Sequence, residues 1–183
     1  MNGWKRSGRG GRARIVAHLD AQEAAVLRGL VDEVRRMLDG RTAERPADEL
    51  EELTGLRTGP SEKPDDPVLA RLLPDFATDD GALSSALRSL HEPELIEAKH
   101  GAAAVVLETL PPAGGRVELT PDQADAWLAA LNDVRLALGT ALDVSEDMPD
   151  DLPADDPRAS HLGVYHWLTY VQDGLVQSRM AMR

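Results

Sequence analysis

The chain has 183 residues, a net charge of −12 and no cysteine. This length suffices for one ordinary domain with a buried core. Without cysteine, disulfide bonds, thiolate metal sites and cysteine nucleophiles are excluded. Only six aromatic residues occur although 42% of the residues are apolar. That balance favours closely packed helices over a β-sandwich, so we expect a mainly α, compact helical domain.

The positive charges are concentrated at the start of the chain. Residues 1–19 hold five basic side chains and no acidic one, and the remainder is strongly acidic. An acidic surface repels phosphate backbones, so we expect DNA to be contacted only indirectly or weakly, through this basic tail. We assign residues 1–13 to a disordered basic tail and residues 14–183 to a single helical domain. Flexible loops are expected at about 40–65 and 145–158.

The sequence gives no sign of membrane insertion or export. No apolar run approaches the ~20 residues that a membrane-spanning helix requires. The first twelve residues lack the apolar core of a secretory signal. We therefore expect a cytoplasmic protein that has no membrane partner.

The first predicted elements are a short strand at 14–19 and a long helix after it. Asp20 is expected to cap the helix, and Glu23 completes a capping box three residues later. The helix is expected to end at Gly40. Its apolar side chains recur every three or four residues and so share one face: Ala24, Leu27, Val31, Val34 and Leu38.

Prolines punctuate the middle of the chain. They predict a loop over about 40–67, interrupted by one short helix at about 47–54. Pro67 begins a second short helix, and one of Thr78, Asp79 and Asp80 is expected to cap a third one. Pro93 is expected either to start another helix that runs to 110 or to kink a continuing one. The predicted buried stripe of the third helix is Leu83, Ala86, Leu87 and Leu90.

The second half repeats the pattern of the first at an offset of 100 residues. A strand at 116–119 precedes Thr120, which caps a helix that runs to about Leu142. We predict that the strands at 14–19 and 116–119 pair as a minor two-stranded β element, which is stable only when helices cover it. The alternative is that the match at this offset is coincidental, because any two amphipathic helices align passably. A last helix is predicted at 159–180.

No catalytic or metal-binding motif is present. The histidines lack the i, i+4 spacing of a zinc helix, and the glycines form no phosphate-binding loop. The serines form no nucleophile elbow, and the acidic stretch at 146–156 lacks the calcium-loop pattern. We therefore expect no enzyme activity, no metal and no cofactor.

The most specific cluster of polar residues lies at 131–136. Asn132 and Arg135 fall at the edge of the predicted apolar face. A desolvated arginine needs a carboxylate, because an unpaired buried charge is costly. Lys99 either extends its ammonium group to solvent or meets an acid. These residues form either structural ion pairs or a ligand or partner pocket. Candidate carboxylates for Arg135 are Asp75, Asp79 and Asp80.

The motif Leu-Asn-Asp-x-Arg-Leu-Ala-Leu-Gly at 131–139 is the most distinctive part of a pattern that extends over about 14–178. The pattern resembles an actinobacterial family known as a domain of unknown function. One branch of that family is described as an oxidative-stress-sensing transcriptional regulator. The matching positions include Arg71, Asp75, Asp80, Arg88 and Lys99.

The resemblance implies a non-enzymatic regulatory or adaptor protein that contacts a stress-responsive sigma factor and hence RNA polymerase. In the regulator branch a cysteine pair senses oxidant, and this chain has none. The alternative is a small-molecule-binding domain that uses the Asn132/Arg135 region. The sequence leaves open whether the chain forms a homodimer. The candidate partner- or ligand-binding residues are Arg71, Asp75, Asp80, Arg88, Lys99, Asn132, Asp133 and Arg135.

Overall fold

A computed structural model describes residues 1–8, 13–44, 58–149, 152–153 and 155–182. Within these ranges the chain is mainly α, with five helices and a small antiparallel sheet. The helix predicted at 47–54 lies outside them. No helix in the described ranges combines the length and apolar character needed to cross a bilayer. In chain order the elements are β1 (Asn2–Ser7), β2 (Arg14–Leu19), α1 (Ala21–Ala43), α2 (Pro67–Leu72), α3 (Gly81–Thr109), β3 (Gly115–Leu119), α4 (Pro121–Ala141) and α5 (Ala159–Met180).

The sheet has three strands in the order β1-β2-β3. The predicted pairing of the two echoing strands is confirmed, because β2 and β3 are antiparallel with Ile15 opposite Leu119. The prediction of only two strands is wrong. Asn2–Ser7, assigned from sequence to a disordered tail, pair with β2 as its second neighbour. The basic side chains masked the strand character of this segment.

Trp4 explains why the first residues are ordered. Its indole is 8% exposed and meets the Trp127 ring edge to face, with centroids 5.5 Å apart. The Trp4 Nε1–H donates to the Val171 carbonyl on α5 at 2.9 Å. A large apolar side chain that also finds a partner for its polar atom stabilises the strand that carries it.

Both echoing helices begin with a capping box. Asp20 accepts from the Glu23 amide at the start of α1, and Thr120 accepts from the Gln123 amide at the start of α4. The predicted apolar stripe of α1 is buried. The predicted end at Gly40 is wrong, since α1 continues to Ala43 and buries Arg41.

Pro93 lies inside one continuous helix, α3. A proline has no N–H, so the Ser89 carbonyl one turn earlier loses its partner within the helix. The Gly59 amide donates to that carbonyl at 2.7 Å. A Cβ on Gly59 would approach the Pro93 ring to 3.1 Å. The segment around Gly59 therefore packs closely against α3 where the proline interrupts its hydrogen bonds.

The first half of α3 turns a different face to the protein than its apolar residues predict. Leu83 is 48% exposed and Leu90 is 54% exposed, so the predicted stripe is wrong. The buried side chains here are polar and recur every four residues: Ser84, Arg88 and Glu92. Arg88 and Glu92 bond to each other, and each of the three also has a partner in another segment of the chain, which local periodicity does not reveal.

Candidate functional site

Arg88 and Glu92 are the centre of a buried ion-pair cluster. Arg88 is 1% exposed, and its guanidinium donates to Glu92 Oε2 at 2.7 Å and to Asp75 Oδ1 at 2.8 Å. Glu92, which is fully buried, also accepts from Arg41 Nε at 2.7 Å. Lys63 adds an exposed contact to Asp75 at 3.1 Å. The cluster joins α1 and α3 to the segments on either side of α2.

The other hydrogen bonds of the two arginines reach the backbone on either side of α2 and the end of α1. Arg88 donates to the carbonyl of Leu73 at 3.1 Å. Arg41 donates to the carbonyl of Glu62 and to the carboxylate of Glu44. Each charge of the cluster meets an opposite charge, which is the arrangement expected of structural ion pairs.

Sequence reasoning selected Arg88 and Asp75 but missed Arg41 and Glu92. The i, i+4 spacing of Arg88 and Glu92 was a usable signal, since such pairs face each other on a helix. Arg41 lies on the buried stripe of α1, one step beyond its last leucine. No spacing pointed to it, because its partner is 51 residues away.

Neighbouring charges shift two pKa values in this cluster. Burial opposes the charged form of Arg41, but its hydrogen bonds to Glu92 and Glu44 raise the pKa above its ordinary value overall. Hydrogen bonds from Lys63 and then Arg88 hold the pKa of Asp75 below its usual range. Both shifts favour the ionised forms on which the cluster depends.

Asp80 has a local role. Its carboxylate accepts from the Leu83 amide at 2.9 Å and caps α3, so Asp80 is the one of the three predicted cap candidates that acts as the cap. The Arg135 ion pair predicted with Asp75, Asp79 or Asp80 is wrong, because Arg135 bonds to α5 instead. Asp75 is engaged by Arg88 and Lys63, and Asp79 is exposed.

Lys99 meets an acid, which is one of its two predicted alternatives. Its Nζ lies 2.6 Å from Asp133 Oδ1, and this pair joins α3 to α4. Asp133 is 6% exposed. Burial raises the pKa of Asp133 above its ordinary value, although Lys99 acts in the opposite direction. For the pKa of Asp133, the removal of its carboxylate from water therefore outweighs the attraction of the Lys99 ammonium group.

We expect the stability difference between the wild type and Asp133→Asn to depend on pH. A carboxyl group whose pKa is raised by folding contributes stability that is present below the unfolded pKa, about 4, and is lost as pH rises through the folded pKa. The wild type should therefore lose stability relative to Asp133→Asn as pH rises from about 4. Urea unfolding of both proteins at matched pH values measures this. If the wild type instead gained stability relative to Asp133→Asn as pH rises, the raised pKa of Asp133 would be contradicted.

Arg135 is half-buried between α4 and α5 and is held by neutral groups. Its Nε donates to Thr169 Oγ1 at 3.1 Å, and its Nη1 donates to Gln172 Oε1 at 2.6 Å. The guanidinium carbon lies 5.4 Å from the centroid of the Tyr165 ring, in cation–π contact. Arg135 thus differs from Arg88, whose guanidinium contacts the two carboxylates of Glu92 and Asp75.

An open cleft of about 310 Å³, here called the arginine cleft, adjoins Arg135. Arg71 of α2, which is exposed, supplies a second guanidinium. Asn132 is exposed on α4 but does not line this cleft. The arginine cleft is defined by Arg71, Arg135, Gly139, Thr140, Asp143 and Tyr165.

The arginine cleft depends on one close approach. A Cβ on Gly139 would lie 3.1 Å from Cε2 of Tyr165, so the ring packs directly against the backbone of α4. The sequence motif ends at this glycine, but its spacing gave no indication of the tyrosine. Within the described ranges, no three histidine or carboxylate side chains are grouped as a metal ion requires.

The whole chain is similar to named mycobacterial proteins. It is 45% identical to the oxidative stress regulator AosR of Mycobacterium tuberculosis and of Mycobacterium bovis, over 98% of this chain and 88% of each relative. It is 43% identical to the putative oxidative stress regulator AosR of Mycobacterium leprae, over 97% of this chain and 88% of the relative. No solved structure matches significantly. Residues 1–178 match the domain of unknown function DUF2017, and this chain belongs to that family.

Proposed function

We propose that this protein is a non-enzymatic regulator of the oxidative stress response that binds a basic regulatory protein, namely a stress-responsive sigma factor. The observation that carries the proposal is the similarity of nearly the whole chain to proteins named oxidative stress regulator. The polar clusters support it, because their charged side chains serve packing between helices.

The exposed face of α3 is the surface that fits such a partner best. Leu83 and Leu90 are seven residues apart and so project from the same side of the helix. Glu94 and Glu97 continue this line and are also exposed. An apolar anchor beside carboxylates complements a basic surface that carries an apolar pocket.

Binding to a purified stress-responsive sigma factor tests this surface. We expect the double variant Leu83→Ser/Leu90→Ser to weaken binding at least ~10-fold, because it removes two apolar anchors. The matched control is Val176→Ser/Met180→Ser, which changes two exposed apolar residues on α5. Interferometry with immobilised sigma factor measures both. No binding by the wild type would refute the partner, and equal loss in the control would refute the surface.

Peroxide and DNA test the other parts of the proposal. Since the chain has no thiol, peroxide at levels that spare methionine should leave sigma-factor binding unchanged. Deleting residues 1–12 would remove β1, so Lys5→Gln/Arg9→Gln/Arg12→Gln is the appropriate tail variant. It should abolish residual, salt-sensitive DNA retention but keep sigma-factor binding. Tight, sequence-specific DNA binding by this variant would overturn the adaptor function.

A further inference from the structure

The two guanidinium groups of the arginine cleft lack a carboxylate partner among the described residues. Arg88 shows how the fold treats a structural arginine, with two carboxylates within 2.8 Å. Arg135 is half-buried yet is bonded only to a hydroxyl and an amide. A partly desolvated positive charge without an anion is costly, so Arg135 is a candidate for binding one.

The side chain of Arg135 is held in a fixed orientation. Thr169 Oγ1 donates to the Tyr165 carbonyl at 3.0 Å, which leaves its lone pairs free to accept from Arg135. Gln172 and the Tyr165 ring fix two further sides of the guanidinium. A guanidinium has five N–H donors, and the described contacts use only two of them. Planar, oriented donors of this kind bind carboxylate and phosphate groups in bidentate fashion.

Asp143 is the one acidic residue of the arginine cleft, and its position has a structural cause. It follows α4 and has a φ of 54°, in the left-handed region. The Val144 amide donates to the Gly139 carbonyl, and the Asp143 amide donates to the Thr140 carbonyl. These are the two bonds of a Schellman motif, which requires a left-handed residue at this place.

The carboxylate of Asp143 does not neutralise the arginines. No ion pair links it to Arg71 or Arg135 in the described part of the chain. Asp156 is the main cause of the raised pKa of Arg158, and Asp143 contributes to it through space. The cleft is lined by two guanidinium groups and one carboxylate, so its formal charge is positive within a protein that is acidic overall.

We propose that the arginine cleft binds a small molecule through a carboxylate or phosphate group, with Arg135 as the oriented donor and Arg71 as a second, mobile one. The Tyr165 ring forms one wall, and the cleft volume of about 310 Å³ admits a metabolite-sized anion. The protein is acidic overall and repels anions from most of its surface, so the two guanidinium groups are the source of attraction at this cleft. This inference is independent of the proposed sigma-factor contact, which involves the opposite type of surface.

Titration of the full chain with inorganic phosphate and, separately, with succinate tests the proposal. The readout is the NMR signal of the Arg135 Nε–H, assigned from its loss in Arg135→Gln. We expect a saturable shift with at least one probe, weakened by added sodium chloride. Phosphate alone would indicate a phosphorylated metabolite, and succinate alone would indicate a carboxylic acid.

Variants make the outcome decisive, with affinity measured by calorimetry. Arg135→Gln and Arg71→Gln should each weaken binding, the first at least ~10-fold because it removes charge-assisted hydrogen bonds. Asp143→Asn should tighten it several-fold, since it removes the opposing charge and asparagine accepts the left-handed conformation. Arg36→Gln makes the same charge change at an exposed site on α1 and should have no effect.

Two results would overturn the proposal. One is that neither probe shifts the Arg135 signal, and the other is that Arg36→Gln weakens binding as much as Arg71→Gln does. Arg71 and Asp143 are exposed, so their variants remain informative even where Arg135→Gln fails to fold. Sigma-factor binding that is unchanged in Arg71→Gln separates this test from that of the proposed function.

Discussion

Replacing Glu92 with alanine is expected to lower the free energy of unfolding by about 3–5 kcal/mol. Glu92 is fully buried and accepts from both Arg41 and Arg88, which are 4% and 1% exposed. Removing it leaves two buried guanidinium groups short of a carboxylate. The cost is then the desolvation of charges without a partner, which exceeds the loss of an average hydrogen bond.

Urea unfolding followed by circular dichroism measures this effect. The control is Glu94→Ala, which removes a carboxylate from the exposed side of the same helix and should change stability by less than about 0.5 kcal/mol. Domains of this kind have only about 5–15 kcal/mol of total stability. Glu92→Gln, which keeps the shape and one acceptor, provides a milder variant. Equal stabilities for Glu92→Ala and Glu94→Ala would refute the buried cluster.

Replacing Trp4 with alanine is expected to cost about 3–5 kcal/mol, the range for deleting a buried aromatic side chain. The change removes the contact with the Trp127 ring and the hydrogen bond to Val171. It also takes away the side chain that holds β1 against α5. Amide hydrogen exchange should therefore accelerate in β2, which loses a neighbouring strand.

The control for Trp4 is Lys5→Ala on the same strand. Lys5 is exposed, so its removal should leave stability within about 0.5 kcal/mol of the wild type. Thermal unfolding and hydrogen exchange compare the two variants under identical conditions. If Trp4→Ala matched Lys5→Ala in both, the segment would behave as the disordered tail that its charge predicts.

Local sequence determined the helices and strands whose indicators, such as capping residues and apolar spacing, are neighbours along the chain. The capping residues Asp20 and Thr120, followed by regular apolar spacing, gave both long capped helices and the strands before them. The 100-residue echo also gave the pairing of β2 with β3, because equal patterns bury equal faces. Helix α2 followed from Pro67 at its first turn in the same way.

Tertiary structure alone decided the features that depend on distant partners. The tail became a strand because Trp4 meets Trp127, which is 123 residues away along the chain. The first half of α3 buries its polar face because Arg41 and Asp75 arrive from other segments to neutralise Arg88 and Glu92. Arg135 is bonded to α5 rather than to a carboxylate for the same reason. A sequence shows which side chains require partners, and only the packing of the helices determines which partners they meet.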